Sequence, residues 1–209
     1  MERPTPLTRP SKEVIALMPS YKQLPLDKIH LVRSKSQIEF ATRNLTSASF
    51  IGFDTETKPV FTKNTKREGP HVIQLATLEH SFIVQVSTGM PFDFLQSILE
   101  SNDIVKVGFG LKSDRGPLHK KLGIRLGASV ELAQVVKKLG YRQAVGVKAA
   151  VAIVLTQRLP KPKKMTTSNW ALPRLSPNQL QYAANDAHAA LAVFHALGCP
   201  YTTTKAAGV

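Results

Sequence analysis

Cysteine is almost missing from this chain of 209 residues: Cys199 stands alone, so no intrachain disulfide can form. That excludes a fold stapled by disulfides and suits a reducing compartment. Aromatic residues make up only 7% of the chain, and Trp170 is the one tryptophan. No apolar run approaches the ~20 residues that a membrane-spanning helix needs. The opening "MERPTPLTRP" lacks the apolar core of a secretion signal, and the expected setting is the cytoplasm. There is no internal repeat and no sustained low-complexity segment. Acidic residues are the other scarcity: 14 Asp+Glu stand against 28 Lys+Arg, a formal net charge of +14. Such a surface attracts polyanions, of which nucleic acids are the commonest. Where acids are this few, one that follows an apolar run needs a reason.

What is present is enough for a core. Hydrophobic residues are 43% of the chain, ordinary for a globule, and the length suits one domain. Residues 1–27 hold five prolines and read as an irregular extension, with a short helix around Ser11–Met18 capped by Ser11. The domain is expected over 28–198, and 199–209 read as a flexible tail. "KIHLVRS" predicts a strand and "SKSQIEFATRNLTSA" a helix. "SFIGFDTET", "HVIQLATLE" and "SFIVQVS" predict three strands close in sequence, hence antiparallel neighbours. A helix over "FDFLQSILESN" and a strand ending in "VKVGFG" follow. "LKSDRGPLHKKLG" reads as a helix interrupted near Gly116 and Pro117, and "ASVELAQVVKKLG" as a strand entering a helix. Val145–Arg158 predicts an Ala/Val-rich helix, "LPKPKKMTTSNW" a basic loop, and "SPNQLQYAANDAHAALAVFHAL" a long last helix with Ser176 as its cap and Pro177 in its first turn. The expected class is α/β, a mixed central sheet flanked by helices.

Three places carry carboxylates in suggestive settings. Asp54 and Glu56 end an apolar strand, and strand alternation points them the same way. Two adjacent carboxylates repel unless a cation or proton lies between them, and oxygen ligands of this kind suit Mg²⁺ or Mn²⁺. A solvated strand end carries the same D-x-E without any metal. Asp114 follows a later strand, in the first turn of a helix, where the helix dipole alone also favours an acid. Tyr182 and Asp186, four residues apart, share one flank of the last helix with Ala189 and Val193. On that helix Leu180, Ala184, Ala187, Leu191 and Phe194 form the expected core stripe, and Gln181, Asn185, His188 and His195 the expected wet face. Boundary packing of Tyr182 and a surface Asp186 would fit the pattern as well.

The ordered set is more telling than its members. "IGFDTET", "HVIQLAT", "VKVGFGLKSD", "SNW" and "LQYAANDAHAALAVF", spread over about residues 29–197, resemble the tyrosine-bearing (DEDDy) branch of the DEDD 3′–5′ exonucleases, the group of ribonuclease D and the Werner-type exonuclease domains. The resemblance implies an RNase H-like fold and two divalent ions, Mg²⁺ or Mn²⁺, held by Asp54, Glu56, Asp114 and Asp186. Two metals ~3.5–4 Å apart stabilise the entering and leaving oxygens of phosphodiester hydrolysis. In that scheme Asp54 bridges the ions. Glu56 and Asp186 complete one site, Asp114 holds the other, and Tyr182 orients the attacking water. A phenol with a pKa near ~10 is a poor base, so deprotonation falls to the metal.

Basic residues complete the expectation. Thr55, Lys58, Lys63, Lys66 and Arg67 follow or flank the first carboxylates, Lys112 and Arg115 flank Asp114, and Lys161, Lys163 and Lys164 sit upstream of Trp170; these are expected to meet the nucleic acid. Val60 is expected to wedge against the terminal base and Trp170 to stack on one or to pack helices. His71, His80, His188 and His195 show no metal spacing. Only 23 residues follow Asp186 in the 209, too few for the C-terminal helical domains of ribonuclease D, so a stand-alone exonuclease domain is expected. The alternative is a catalytically weak nucleic-acid-binding module with the same fold. Substrate is expected to be the 3′ end of a single strand, a recessed duplex or a short oligonucleotide.

Overall fold

The computed structural model describes residues 7–61, 68–87, 89–141 and 143–201, with the side chain of Lys163 outside that set. A short helix, α1 (Lys12–Leu17), precedes strand β1 (Ile29–Leu31) and helix α2 (Lys35–Thr46). Then come β2 (Phe50–Glu56), β3 (Val72–Ala76), β4 (Ser81–Gln85), α3 (Phe92–Glu100), β5 (Val105–Gly108), α4 (Leu111–Leu122), β6 (Ser129–Glu131), α5 (Leu132–Lys137), α6 (Val147–Leu155), α7 (Lys163–Thr166) and α8 (Pro177–Ala196).

The strands form one mixed sheet in the order β1-β4-β3-β2-β5-β6. β3 runs antiparallel to both β2 and β4, as the closeness of the three strands in sequence requires. β5 and β6 run parallel to β2, each reached through a helical crossover. Both faces of β2 are covered, which is why its sequence is a near-continuous apolar run rather than a clean alternation. Ile51 and Phe53 sit in the cluster built with α2, α3 and α4. Phe50, on the opposite face, packs tilted against Phe194 of α8 with ring centroids 4.9 Å apart.

Gly52 shares that α8 face and decides the spacing. A Cβ there would lie 2.0 Å from the backbone oxygen of Ala187. Only a glycine lets α8 lie this close to β2, so the residues that follow on the same strand face look directly at the helix. Lys106 supports the far side of the sheet. It is fully buried, and its ammonium donates to the carbonyls of Ile98, Ser101 and Ile104 around the end of α3. Burial pulls its pKa down to about 8.

Four expectations change on contact with the structure. Helix α4 runs unbroken through Pro117, because Leu111 and Leu118 anchor it in the core on either side of the lost hydrogen bond. The basic stretch before Trp170 contains the single-turn helix α7. Helix α6 stops at Leu155, where Thr156 turns left-handed with φ 52°. On α8, Asn185 and His188 are buried and Gln181 is half-buried; only His195 of the expected wet face is exposed. The cover comes from residues 19–24. The Tyr21 hydroxyl meets His188 Nδ1 at 2.7 Å, Gln181 donates to the Leu24 carbonyl, and Asn185 donates to Gln23. The same segment exchanges backbone hydrogen bonds with Arg158, through Pro19 and Tyr21. Among the described residues no helix is long and apolar enough to cross a membrane.

Candidate active site

Strand alternation places Asp54 and Glu56 on the α8 face of β2, two and four residues beyond Gly52. Helix α8, seated against Gly52 at Ala187, brings Asp186 to the same point. The closest ligand atoms of Asp54, Glu56 and Asp186 all lie within 4.8 Å of one another. Asp114 enters from the opposite face. Strand β5 ends at Gly108, where a Cβ would lie 2.4 Å from the Phe53 carbonyl oxygen, and Gly110 turns left-handed (φ 77°) to start α4. In the first turn of that helix, the Asp114 carboxylate accepts a hydrogen bond from Thr55 Oγ1 at 2.9 Å. Thr55 points away from Asp54, so β2 offers its carboxylates to one neighbour and a hydroxyl to the other.

The electrostatics report crowding. Burial, then the carboxylates of Asp186 and Glu56, hold Asp54 well above the usual carboxylate range. Burial raises Glu56 to about 8, with Asp186 adding to it. Burial likewise raises Asp114 to about 6, against the hydrogen bond from Thr55. Asp186 is raised by burial, with Lys161 and the Tyr182 hydroxyl pulling the other way. A cage of this kind stabilises a cation inside it.

Lys161 provides the internal demonstration. Its ammonium lies 2.7 Å from Asp186 Oδ2 and 5.1 Å from the centre of the Tyr182 ring. Burial works against its charge, but Asp186, Tyr182 and Asp54 together outweigh it, and the pKa is raised. The sequence placed Lys161 on a basic loop expected to meet the nucleic acid; the structure puts its ammonium against the carboxylates. No sequence signal separates Lys161 from Lys164, which stays exposed. The donor set, three carboxylates from two elements with a fourth alongside, fits divalent cations with oxygen preference.

Tyr182 sits one turn before Asp186, its hydroxyl 3.3 Å from Thr166 Oγ1. Burial pushes its pKa up to about 12, so it stays protonated and can donate. Gln74 pairs directly across from Asp54 on β3, fully buried, and among the described residues neither polar atom of its amide has a hydrogen-bond partner. The signal was available: one amide in the apolar run Val72–Ala76.

Other expectations fall differently. Trp170 is completely buried, tilted against Tyr182 with centroids 5.7 Å apart and packed with Val72 and Ile83. It has no face left for a base, so its role is to fix the Tyr182 flank of α8. Arg115 turns away from Asp114 and donates to the Leu126 carbonyl and Ser129 Oγ. Lys58 and Lys112 are exposed near the ends of β2 and β5, and Val60 is half-buried. Lys63, Lys66 and Arg67 lie outside the described residues, as does the side chain of Lys163.

Comparison with known proteins comes out on one side. A 3′-5′ exonuclease family profile matches residues 29–199. The bifunctional 3′-5′ exonuclease/ATP-dependent helicase WRN of Mus musculus is 32% identical over 163 residues, covering 77% of this chain. The chain spans only 12% of that protein's length. The Nibbler EXO domain of Aedes aegypti superposes with a TM-score of 0.70 at 25% identity, covering 83% of this chain and 88% of that one. Ribonuclease D of Trypanosoma brucei, solved in complex with RNA U12, gives 0.69 at 18% identity, covering 88% of this chain and 64% of its own.

Proposed function

This chain belongs to the 3′-5′ exonuclease family, and from that premise we propose that it removes nucleoside monophosphates from the 3′ end of a nucleic acid strand with Mg²⁺ or Mn²⁺ as cofactor. The observation that carries the reading is the convergence of Asp54, Glu56 and Asp186, with ligand atoms within 4.8 Å, in a protein of net charge +14. Asp54, Glu56 and Asp186 would hold one ion, with Asp54 and Asp114 facing a second. The bound cations would supply a nucleophile near neutral pH and relief of charge on the leaving oxygen.

The chain's own groups do the rest. Tyr182 keeps its proton and would donate a hydrogen bond toward the reacting phosphate or the attacking water. Thr55 fixes the Asp114 carboxylate through its hydroxyl. Lys161, on a loop held by Arg158 and the N-terminal segment, sets its ammonium 2.7 Å from Asp186 beside the site. From there it would also be placed to meet a substrate phosphate. Lys58, Lys112 and Lys164 offer further phosphate contacts from the exposed rim. That ribonuclease D was solved with RNA supports a nucleic-acid substrate for this fold.

The test is release of mononucleotides from 3′ ends of labelled RNA and DNA, with and without divalent metal. Asp54→Ala, which empties the centre of the cage, is expected to lower kcat by at least about a thousandfold. Undiminished release by that variant overturns the assignment.

A further inference from the structure

A cavity of about 370 Å³ opens beside the carboxylate cage, between the N-terminal segment, the α6–α7 connection and α8. Its apolar surface comes from Pro160, Pro162, Met165 and the edge of Tyr182. Its polar surface is almost entirely amide: Gln23, Asn178, Gln181 and Asn185. Three of these form a chain. Gln181 donates to Asn185 Oδ1 at 3.1 Å, and Asn185 donates to Gln23 Oε1 at 2.9 Å. Gln181 Nε2 also donates to the Leu24 carbonyl. That pattern uses Gln181 as donor and Gln23 as acceptor. Among the described contacts it leaves the Gln181 carbonyl oxygen, the Gln23 amide nitrogen and the whole Asn178 amide for a guest.

From this geometry we infer that the cavity is a nucleobase subsite, receiving one base of the bound strand next to the scissile phosphate. The inference rests on the exonuclease reading and adds to it a place for a base. Apolar walls of proline, methionine and tyrosine can pack against the faces of a base. Paired amide donors and acceptors match base edges, for which Asn and Gln are the usual readers. Tyr182 belongs both to this cavity and to the catalytic flank, and Asn185 precedes Asp186, so a base seated here stands close to the cage. Lys164 at the rim suits the phosphate of the same nucleotide. Gln23 comes from residues that precede the family match at 29–199. A larger cavity, about 470 Å³ at the β1–β4 edge, competes poorly. Its Arg33 and Gln85 are already spent on one another and on the carbonyls of Pro173 and Leu172.

The experiment is a chemical double-mutant cycle. Tetranucleotides carrying a single abasic unit at each position in turn are hydrolysed by the wild type and by the Gln23→Ala/Asn178→Ala variant. For the wild type, one of the three 3′-terminal positions is expected to raise KM about tenfold when its base is missing. The variant is expected to raise KM on the intact oligonucleotide several-fold and to respond no further to the missing base. Asn178 is exposed, so Asn178→Ala alone carries the cycle if the Gln23 substitution compromises folding. Penalties that multiply, or an abasic series with no sensitive position, overturn the subsite and leave the exonuclease reading standing. A wild type without metal-dependent hydrolysis overturns both together.

Discussion

Glu56 is one of the cage carboxylates, its pKa raised from 4.5 to about 8, chiefly by burial. A carboxylate whose folded pKa lies above its unfolded one binds its proton more tightly in the folded state. Its contribution to stability is therefore complete below pH 4.5 and is lost as pH rises through about 8. Asp114, raised from 3.8 to about 6, adds to the loss over the lower part of that window. A divalent cation reverses the cost by pairing with the ionised groups, and its binding displaces their protons. Thermal melts in EDTA and in MnCl₂ at pH 5 and pH 8 check this. Mn²⁺ is expected to raise Tm more at pH 8; equal shifts at the two pH values would remove Glu56 from the cation site.

Among the elements, the β2–α8 contact governs the site. Asp186 and Ala187 are consecutive, so whatever separates Ala187 from Gly52 also carries Asp186 away from Asp54. Gly52→Ala puts a methyl 2.0 Å from a backbone oxygen that belongs to a helix and cannot rotate aside. The helix must shift, at a cost of about 3 kcal/mol in stability. A displacement of even 1 Å at the reacting groups is expected to lower kcat about a hundredfold. Urea denaturation and steady-state kinetics on the same preparation measure the two effects. Wild-type kcat in a folded Gly52→Ala protein would show that the site does not depend on this approach. Trp170 acts on the same helix from its other flank, which explains why the only large indole in the chain is spent on packing.

Over the whole molecule the relevant quantity is charge. The excess of +14 surrounds a cage of four carboxylates, so phosphates are drawn toward a centre that only cations make acceptable. Substrate affinity is then expected to fall with salt: between 50 and 200 mM NaCl the KM for a short oligonucleotide should rise about tenfold, through three or so phosphate contacts. A KM indifferent to salt would mean that the basic surface serves something other than the substrate of this site. The N-terminal segment also acts at this scale. Through Tyr21, Gln23 and Leu24 it seals the back of α8, and through Arg158 it tethers the chain that leads to Lys161.

The sequence by itself determined the elements and the acids. Strand alternation set Asp54 and Glu56 on one face, the four-residue step aligned Tyr182 with Asp186, and the caps at Ser11 and Ser176 fixed where two helices begin. These are properties of neighbours along the chain, and local periodicity records them. Tertiary structure alone decided the rest. The helical wheel marked Asn185 and His188 as wet because periodicity cannot see a proline-containing segment some 160 residues away covering them. For Trp170, stacking on a base and packing helices stood side by side until α8 closed over it, and Lys161 looked like one lysine among several until its loop was tethered beside Asp186. Long-range packing chooses which polar groups lose their water, and that choice separates a carboxylate cage and an amide-lined cavity from ordinary surface.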